Sequence, residues 1–116
     1  MFGLARLFGR NAPEPRWVEV DGLRQALAGV TARLVVDVRG TDEFDGPLGH
    51  IAGARNIPLP ELAAHGDEIA AAGRPVVCVC LTDKRSAVAA TQLAAAGFGD
   101  VAVLRGGMKA WREAGL

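Results

Sequence analysis

Short apolar segments alternate with amphipathic segments along most of the chain. Three segments are apolar at nearly every position: Leu34–Val38, Val76–Cys80 and Val101–Leu104. Strands that are apolar on both faces are typical of a parallel sheet with helices on both sides. Two shorter stretches, Trp17–Val20 and Arg55–Leu59, predict further strands. The pattern therefore predicts a three-layer α/β domain with a central parallel sheet of about five strands flanked by helices.

The segments between these strands predict helices with recognisable ends. Gly29, Gly73 and Gly97 each follow an amphipathic or alanine-rich stretch, as expected of glycine just past a helix. The predicted helical segments are Asp21–Ala28 with Asp21 as its cap, Thr41–Phe44, Pro60–Ala72, Arg85–Ala96 and Met108–Ala114.

The chain of 116 residues divides into an arm and linker, residues 1–16, and one folded domain, residues 17–116. Pro13 and Pro15 break any helix that starts in Met1–Arg10. One interpretation of the arm is a docking or membrane-surface helix. We favour a frayed terminus, or a short helix that packs on the domain, over this interpretation. A helix this short is only marginally stable without tertiary contacts.

Charge and hydropathy narrow the class of protein. Thirteen basic and thirteen acidic side chains leave a formal charge of zero, which argues against nucleic-acid binding. No apolar run approaches the length of about 20 residues that a transmembrane segment needs. The start of the chain lacks the pattern of a secretory signal, so we expect a cytoplasmic protein with its two cysteines reduced.

The small numbers of serine, cysteine and histidine residues argue against several kinds of active site. The one serine, Ser86, lacks the G-x-S-x-G setting of a serine hydrolase. A four-ligand zinc site would need both cysteines and both histidines, and Cys78 and Cys80 stand two apart in a predicted strand instead of on a turn. We therefore expect no metal, and the sequence implies no cofactor. We interpret His50 as a packed turn residue and His65 as a surface residue.

The segment that follows Val76–Cys80 carries the candidate chemistry. Cys80 ends the predicted strand, and the next helix begins around Arg85 or Ser86. A tight strand-to-helix loop turns its N–H groups toward one point, here the sulfur of Cys80. These amides, the positive end of the helix and the cations Lys84 and Arg85 favour a thiolate. Cys78, in the body of the strand, is interpreted as a structural cysteine.

The spacing between Cys80 and Arg85 distinguishes between reactions. Four residues separate the two, whereas loops of the tyrosine-phosphatase type carry five. The shorter loop forms a smaller cradle, which suits one sulfur atom and its oxyanion better than a phosphate group. The spacing therefore argues against a phosphatase.

Four blocks in order resemble the rhodanese family of sulfurtransferases, as a stand-alone single-domain member. The resemblance runs from about Trp17 to the C-terminus. Its blocks are Leu34–Arg39 with Glu43 and Phe44, Gly49–Pro58, the Cys80 loop with Arg85 and Ser86, and Leu104–Trp111.

The resemblance implies a sulfur relay through Cys80. Its thiolate would take the sulfane sulfur of a small anionic donor such as thiosulfate, and the persulfide would pass sulfur to a thiol or cyanide acceptor. The acceptor could belong to a sulfur-relay protein. The resemblance implies that the loop binds substrate through its backbone amides, the Thr82 hydroxyl and two cations. The loop residues concerned are Leu81, Thr82, Asp83, Lys84, Arg85 and Ser86.

Asp83 departs from the family pattern, in which many thiosulfate-using members have glycine. Its carboxylate is expected to repel a dianionic donor, so that Asp83→Gly would improve thiosulfate use. With Lys84 and Arg85 the loop would carry one net positive charge. Two residues outside the loop are expected to support the site. Asp37 is expected to anchor the neighbouring loops or to cap a turn, and Arg39 is expected to form an ion pair with Glu43.

Two other functions remain open from the sequence. The domain could be a non-enzymatic rhodanese-like module that carries sulfur or docks a protein through its arm. It could also be a small phosphatase or arsenate reductase, which the loop length disfavours.

Overall fold

A computed structural model of the protein describes residues 15–29 and 32–116. Residues 1–14 of the predicted arm lie outside this range, and Arg16 begins the first strand. The division at residue 17 therefore stays a prediction. Within the described part of the chain, no helix is long and apolar enough to cross a membrane.

Strands and helices alternate along the chain. The strands are β1 Arg16–Val18, β2 Leu34–Asp37, β3 Arg55–Asn56, β4 Val76–Val79 and β5 Val101–Leu104. The helices are α1 Val20–Ala28, α2 Thr41–Phe44, α3 Gly66–Ala72, α4 Lys84–Ala95 and α5 Gly107–Glu113, with a 3₁₀ helix at Leu59–His65.

All five strands are parallel, in the order β1-β5-β4-β2-β3. Every residue of β2, β4 and β5 is buried, as expected for central strands with helices on both faces. The predicted three-layer α/β fold is confirmed. The carboxyl ends of the strands meet at one edge, where ligands bind in open α/β sheets.

The alternation of side chains along the strands produces two cores. On one face Val36, Cys78 and Val103 pack beneath α3, α4 and the 3₁₀ helix. On the other face Val35 and Val77 pack against α1 and α5. Cys80 belongs to the first core, on the side of the sheet that α4 covers.

Several predicted boundaries are wrong. The stretch Pro60–Ala72 is a 3₁₀ helix followed by α3, and the strand predicted at Arg55–Leu59 is two residues long. Pro58 ends the strand, because it lacks the N–H that strand pairing requires. Pro60 lies in the first turn of the 3₁₀ helix, where a missing N–H costs no helical hydrogen bond, so it does not explain the 3₁₀ geometry. Helix α1 begins before Asp21, so Asp21 lies in its first turn and binds Arg24 instead of capping the helix.

Candidate active site at the carboxyl edge of the sheet

Cys80 is the residue directly after β4, and its side chain is buried. Its Sγ accepts a hydrogen bond from the Ser86 N–H at 3.3 Å and lies 3.3 Å from Ser86 Oγ. Helix α4 begins at Lys84, earlier than the predicted Arg85 or Ser86, so Ser86 lies in its first turn. The sulfur therefore sits on the N-terminus of a helix, which favours negative charge.

The rest of the loop forms the mouth of the site. Leu81, Thr82 and Lys84 are exposed, and Leu81 keeps 39% of its surface accessible although it is apolar. The carboxylate of Asp83 accepts a hydrogen bond from the Gly106 N–H at 3.3 Å. This contact joins the loop to the turn before α5.

Arg85 and Glu43 form an ion pair beside the loop. The two terminal nitrogens of Arg85 donate to the two carboxylate oxygens of Glu43 at 2.7 and 2.9 Å. The hydrogen bond with Arg85 lowers the pKa of Glu43 to about 2, and the same bond raises the pKa of Arg85. The predicted ion pair between Arg39 and Glu43 is therefore wrong.

Arg39 binds Asp37 instead, in a buried pair. The Arg39 guanidinium donates to Asp37 from Nε and from Nη2, the latter at 2.8 Å, and the Arg39 N–H also donates to Asp37. The guanidinium further donates to the Glu43 and Gly49 carbonyls at 3.1 and 2.7 Å. The pair joins the end of β2 to α2 and to the turn at Gly49, beneath the ion pair of Glu43.

The charges around the loop cancel. Lys84 and Arg85 contribute two positive charges, and Asp83 and Glu43 contribute two negative ones. The net positive charge predicted for the loop is thus offset by Glu43, whose partner the sequence did not reveal. Among the loop residues and Glu43, therefore, no excess of positive charge remains to attract an anion.

Cys78 lies in the core, as the sequence predicts. It is fully buried in β4, and this burial raises the pKa of its thiol to about 12. A thiol with so high a pKa stays protonated and is a poor nucleophile at neutral pH. Both cysteines are free, so the two thiols differ in environment and not in oxidation state.

The histidines also lie where the sequence places them. His50 Nδ1 is 2.9 Å from the Phe44 carbonyl, and its ring stacks on Phe44 with centroids 3.6 Å apart. His65 lies partly exposed beside Glu68. His50 is thus a packed turn residue held by Phe44.

Comparison with known proteins gives a consistent result. The family model of the rhodanese-like domain matches residues 19–114. A thiosulfate sulfurtransferase, GlpE, from Pseudomonas aeruginosa is 39% identical over 108 residues, which are 91% of this chain and 86% of that protein.

Two further relatives extend the comparison. The uncharacterized protein YqhL of Bacillus subtilis is 42% identical over 84 residues, which are 72% of this chain but only 64% of that protein. The crystal structure of a rhodanese-related protein from Thermoplasma volcanium superposes with a TM-score of 0.75 at 29% identity, covering 86% of this chain and 93% of that one.

Proposed function

The chain belongs to the rhodanese-like domain family, and on that premise we propose that it is a sulfurtransferase that carries sulfur on Cys80. The observation that supports this most directly is the position of Cys80 Sγ, which accepts the Ser86 N–H on the first turn of α4. A helix N-terminus stabilises the anionic sulfur that such a reaction needs at two stages.

The proposed reaction consists of two displacements. The Cys80 thiolate attacks the outer sulfur of thiosulfate, a new S–S bond forms, and sulfite leaves with the electron pair of the broken bond. The Cys80 persulfide then gives its outer sulfur to an acceptor thiolate or to cyanide, and the Cys80 thiolate is regenerated. The acceptor becomes a persulfide or thiocyanate, and neither step needs an oxidant.

The chain's own residues hold the charged species in this reaction. The Ser86 N–H and hydroxyl lie against the inner sulfur, and the loop amides of Leu81 to Ser86 would stabilise the outer sulfur of the persulfide. Such fixed dipoles are effective because they need no reorganisation during the reaction. Lys84, exposed at the mouth, would guide the anionic donor.

Phosphate-ester hydrolysis fits the site less well. A phosphatase of the related type would use the arginine after its cysteine to bind phosphate oxygens. Here the two terminal nitrogens of Arg85 bind Glu43, and the loop is one residue shorter. The persulfide intermediate places a single sulfur atom within the loop, where a phosphoenzyme would place a whole phosphoryl group.

The cellular setting belongs to the same proposal. Two free thiols suit the cytosol, where thiols stay reduced, and the acceptor there would be a small thiol or a thiol on a sulfur-relay protein. A non-enzymatic rhodanese-like module would have the same fold and would differ from the proposed enzyme in lacking catalytic turnover of a sulfur donor.

Steady-state transfer from thiosulfate to cyanide tests the proposal. We expect thiocyanate formation by the wild type at neutral and mildly alkaline pH, and none by Cys80→Ser. A folded wild-type protein that forms no thiocyanate, yet binds a sulfur-relay protein, would favour the non-enzymatic module. Release of phosphate from an aryl phosphate would favour the phosphatase.

A further inference from the structure

The first turn of α5 lies against the Cys80 loop. The N–H of Met108 donates to the Cys80 carbonyl at 2.9 Å, and the N–H of Lys109 donates to the Leu81 carbonyl at 3.0 Å. N–H groups in the first turn of a helix have no partner within that helix. Here their partners are carbonyls of the Cys80 loop. The contact therefore satisfies both the first N–H groups of α5 and the carbonyls of the loop.

Gly107, the first residue of α5, is the point of closest approach. A Cβ atom at this position would lie 2.1, 2.3 and 2.7 Å from the carbonyl oxygens of Thr82, Cys80 and Leu81. Its φ of +57° is also one that other residues rarely adopt. Three successive carbonyls of the loop therefore converge on a backbone that has no side chain.

The direction of these carbonyls fixes the direction of the following amides. In a planar trans peptide the N–H points opposite to the C=O. Carbonyls that converge on Gly107 thus turn the N–H groups of the next three residues, Leu81, Thr82 and Asp83, away from α5. An arrangement with carbonyls on one side and amides on the other is how a backbone loop binds an anion.

Asp83 makes a second connection to the same turn. Its carboxylate accepts the N–H of Gly106, the residue directly before α5. The backbone of Asp83 has a φ of −147°, so a side chain fits at this position without left-handed strain. The Asp83 carboxylate therefore has a hydrogen-bond partner in the turn before α5, and the repulsion of the donor that the sequence predicts for its charge stays a prediction.

We propose that Gly107 and Asp83 are positioning residues for sulfur transfer, which hold the loop against α5 so that its amides face the Cys80 sulfur and its persulfide. Gly107 acts by its lack of a side chain, and Asp83 by its hydrogen bond to Gly106. The catalytic consequence rests on the proposed function, whereas the effect on the reactivity of Cys80 does not.

Alkylation of Cys80 by iodoacetamide, followed by peptide mass spectrometry across a range of pH, tests the role of Gly107. Gly107→Ala is expected to slow alkylation at pH 7 by about tenfold, the value of one hydrogen bond to a charged group. Gly97→Ala is the matched control. Gly97 also has a positive φ, but no neighbouring atom of the described residues lies within 4 Å of the place its Cβ would take. Equal profiles for the two variants would overturn the proposal.

A pair of variants at Asp83 keeps the proposal testable if Gly107→Ala does not fold. Asp83→Asn and Asp83→Ala both remove the charge, but only asparagine retains an oxygen that accepts the Gly106 N–H. We expect the alkylation rate of Asp83→Asn to equal or exceed that of the wild type. The rate of Asp83→Ala should be severalfold lower than that of Asp83→Asn. Equal rates in the two would overturn the role of Asp83. A wild type inactive with thiosulfate would refute the proposed function and leave these comparisons valid.

Discussion

Arg85 and Glu43 are bound to each other through two hydrogen bonds, of 2.7 and 2.9 Å, although 42 positions separate them in the chain. The pair joins the first turn of α4 to α2 at the side of the Cys80 loop. It neutralises one of the two cations, Lys84 and Arg85, that the sequence predicts to attract an anionic donor.

Removal of this ion pair should reduce stability in a manner that depends on pH. Both side chains keep slightly more than a third of their surface exposed, so solvent screening reduces the contribution to about 1–2 kcal/mol at pH 7. The folded pKa of Glu43, about 2, lies below its ordinary value of 4.5. The contribution is thus present above about pH 4.5 and is lost as the pH falls toward 2.

Urea denaturation of the wild type and Glu43→Gln at pH 7 and pH 3 measures this effect. The difference in free energy of unfolding between wild type and Glu43→Gln should be less than half as large at pH 3 as at pH 7. A difference that is the same at both would show that the lost charge is not its cause.

The buried pair of Asp37 and Arg39 should matter more for stability. Both side chains are 1% exposed, so Asp37→Asn leaves the Arg39 charge buried without its counter-ion. Such a loss costs about 3–5 kcal/mol. Urea denaturation should show this loss, whereas the exposed control Glu113→Gln should change stability by less than about 0.5 kcal/mol. A loss in Asp37→Asn as small as in the control would refute the structural role.

The hydroxyl of Ser86 should contribute to rate more than to fold. Ser86→Ala removes the Oγ that lies 3.3 Å from Cys80 Sγ but keeps the N–H. One hydrogen bond to a charged sulfur corresponds to a loss of about tenfold in kcat/KM for thiosulfate. Thr91→Ala, which removes another hydroxyl from the same helix, is the control and should keep the wild-type rate. Equal rates in both variants would contradict a role for this hydroxyl.

Cys78 should be dispensable for sulfur transfer. Its burial and its raised pKa, about 12, keep the thiol protonated and out of reach of donors. Cys78→Ala should retain most of the wild-type kcat in the transfer of sulfur from thiosulfate to cyanide. A loss equal to that of Cys80→Ser would mean that both cysteines carry sulfur.

The sequence predicts those parts of the fold in which a local pattern decides the structure. The segments that became β2, β4 and β5 are apolar at nearly every position, and Gly73 ends α3 in a left-handed conformation as predicted. Cys80 could be placed at the edge of the sheet because it follows such a strand.

Partners that are distant in the chain could not be predicted in this way. Glu43 lies near Arg39 in sequence, but burial beside Asp37 satisfies Arg39, and the packing of α4 brings Arg85 to Glu43 instead. The approach of Gly107 to the Cys80 loop likewise depends on how α5 packs on the sheet. Two adjacent glycines, Gly106 and Gly107, indicate a tight turn at this point, but the sequence pattern does not reveal which segment lies against it.

The most direct test of sulfur transfer through Cys80 is to locate the transferred sulfur. Wild type, Cys78→Ala and Cys80→Ser are reduced, exposed to thiosulfate and analysed by peptide mass spectrometry. We predict the added mass of one sulfur atom on Cys80 in the first two proteins, its removal by cyanide, and no addition in Cys80→Ser. Sulfur bound to Cys78, or a folded wild type whose Cys80 stays unmodified, would contradict a sulfur relay through Cys80.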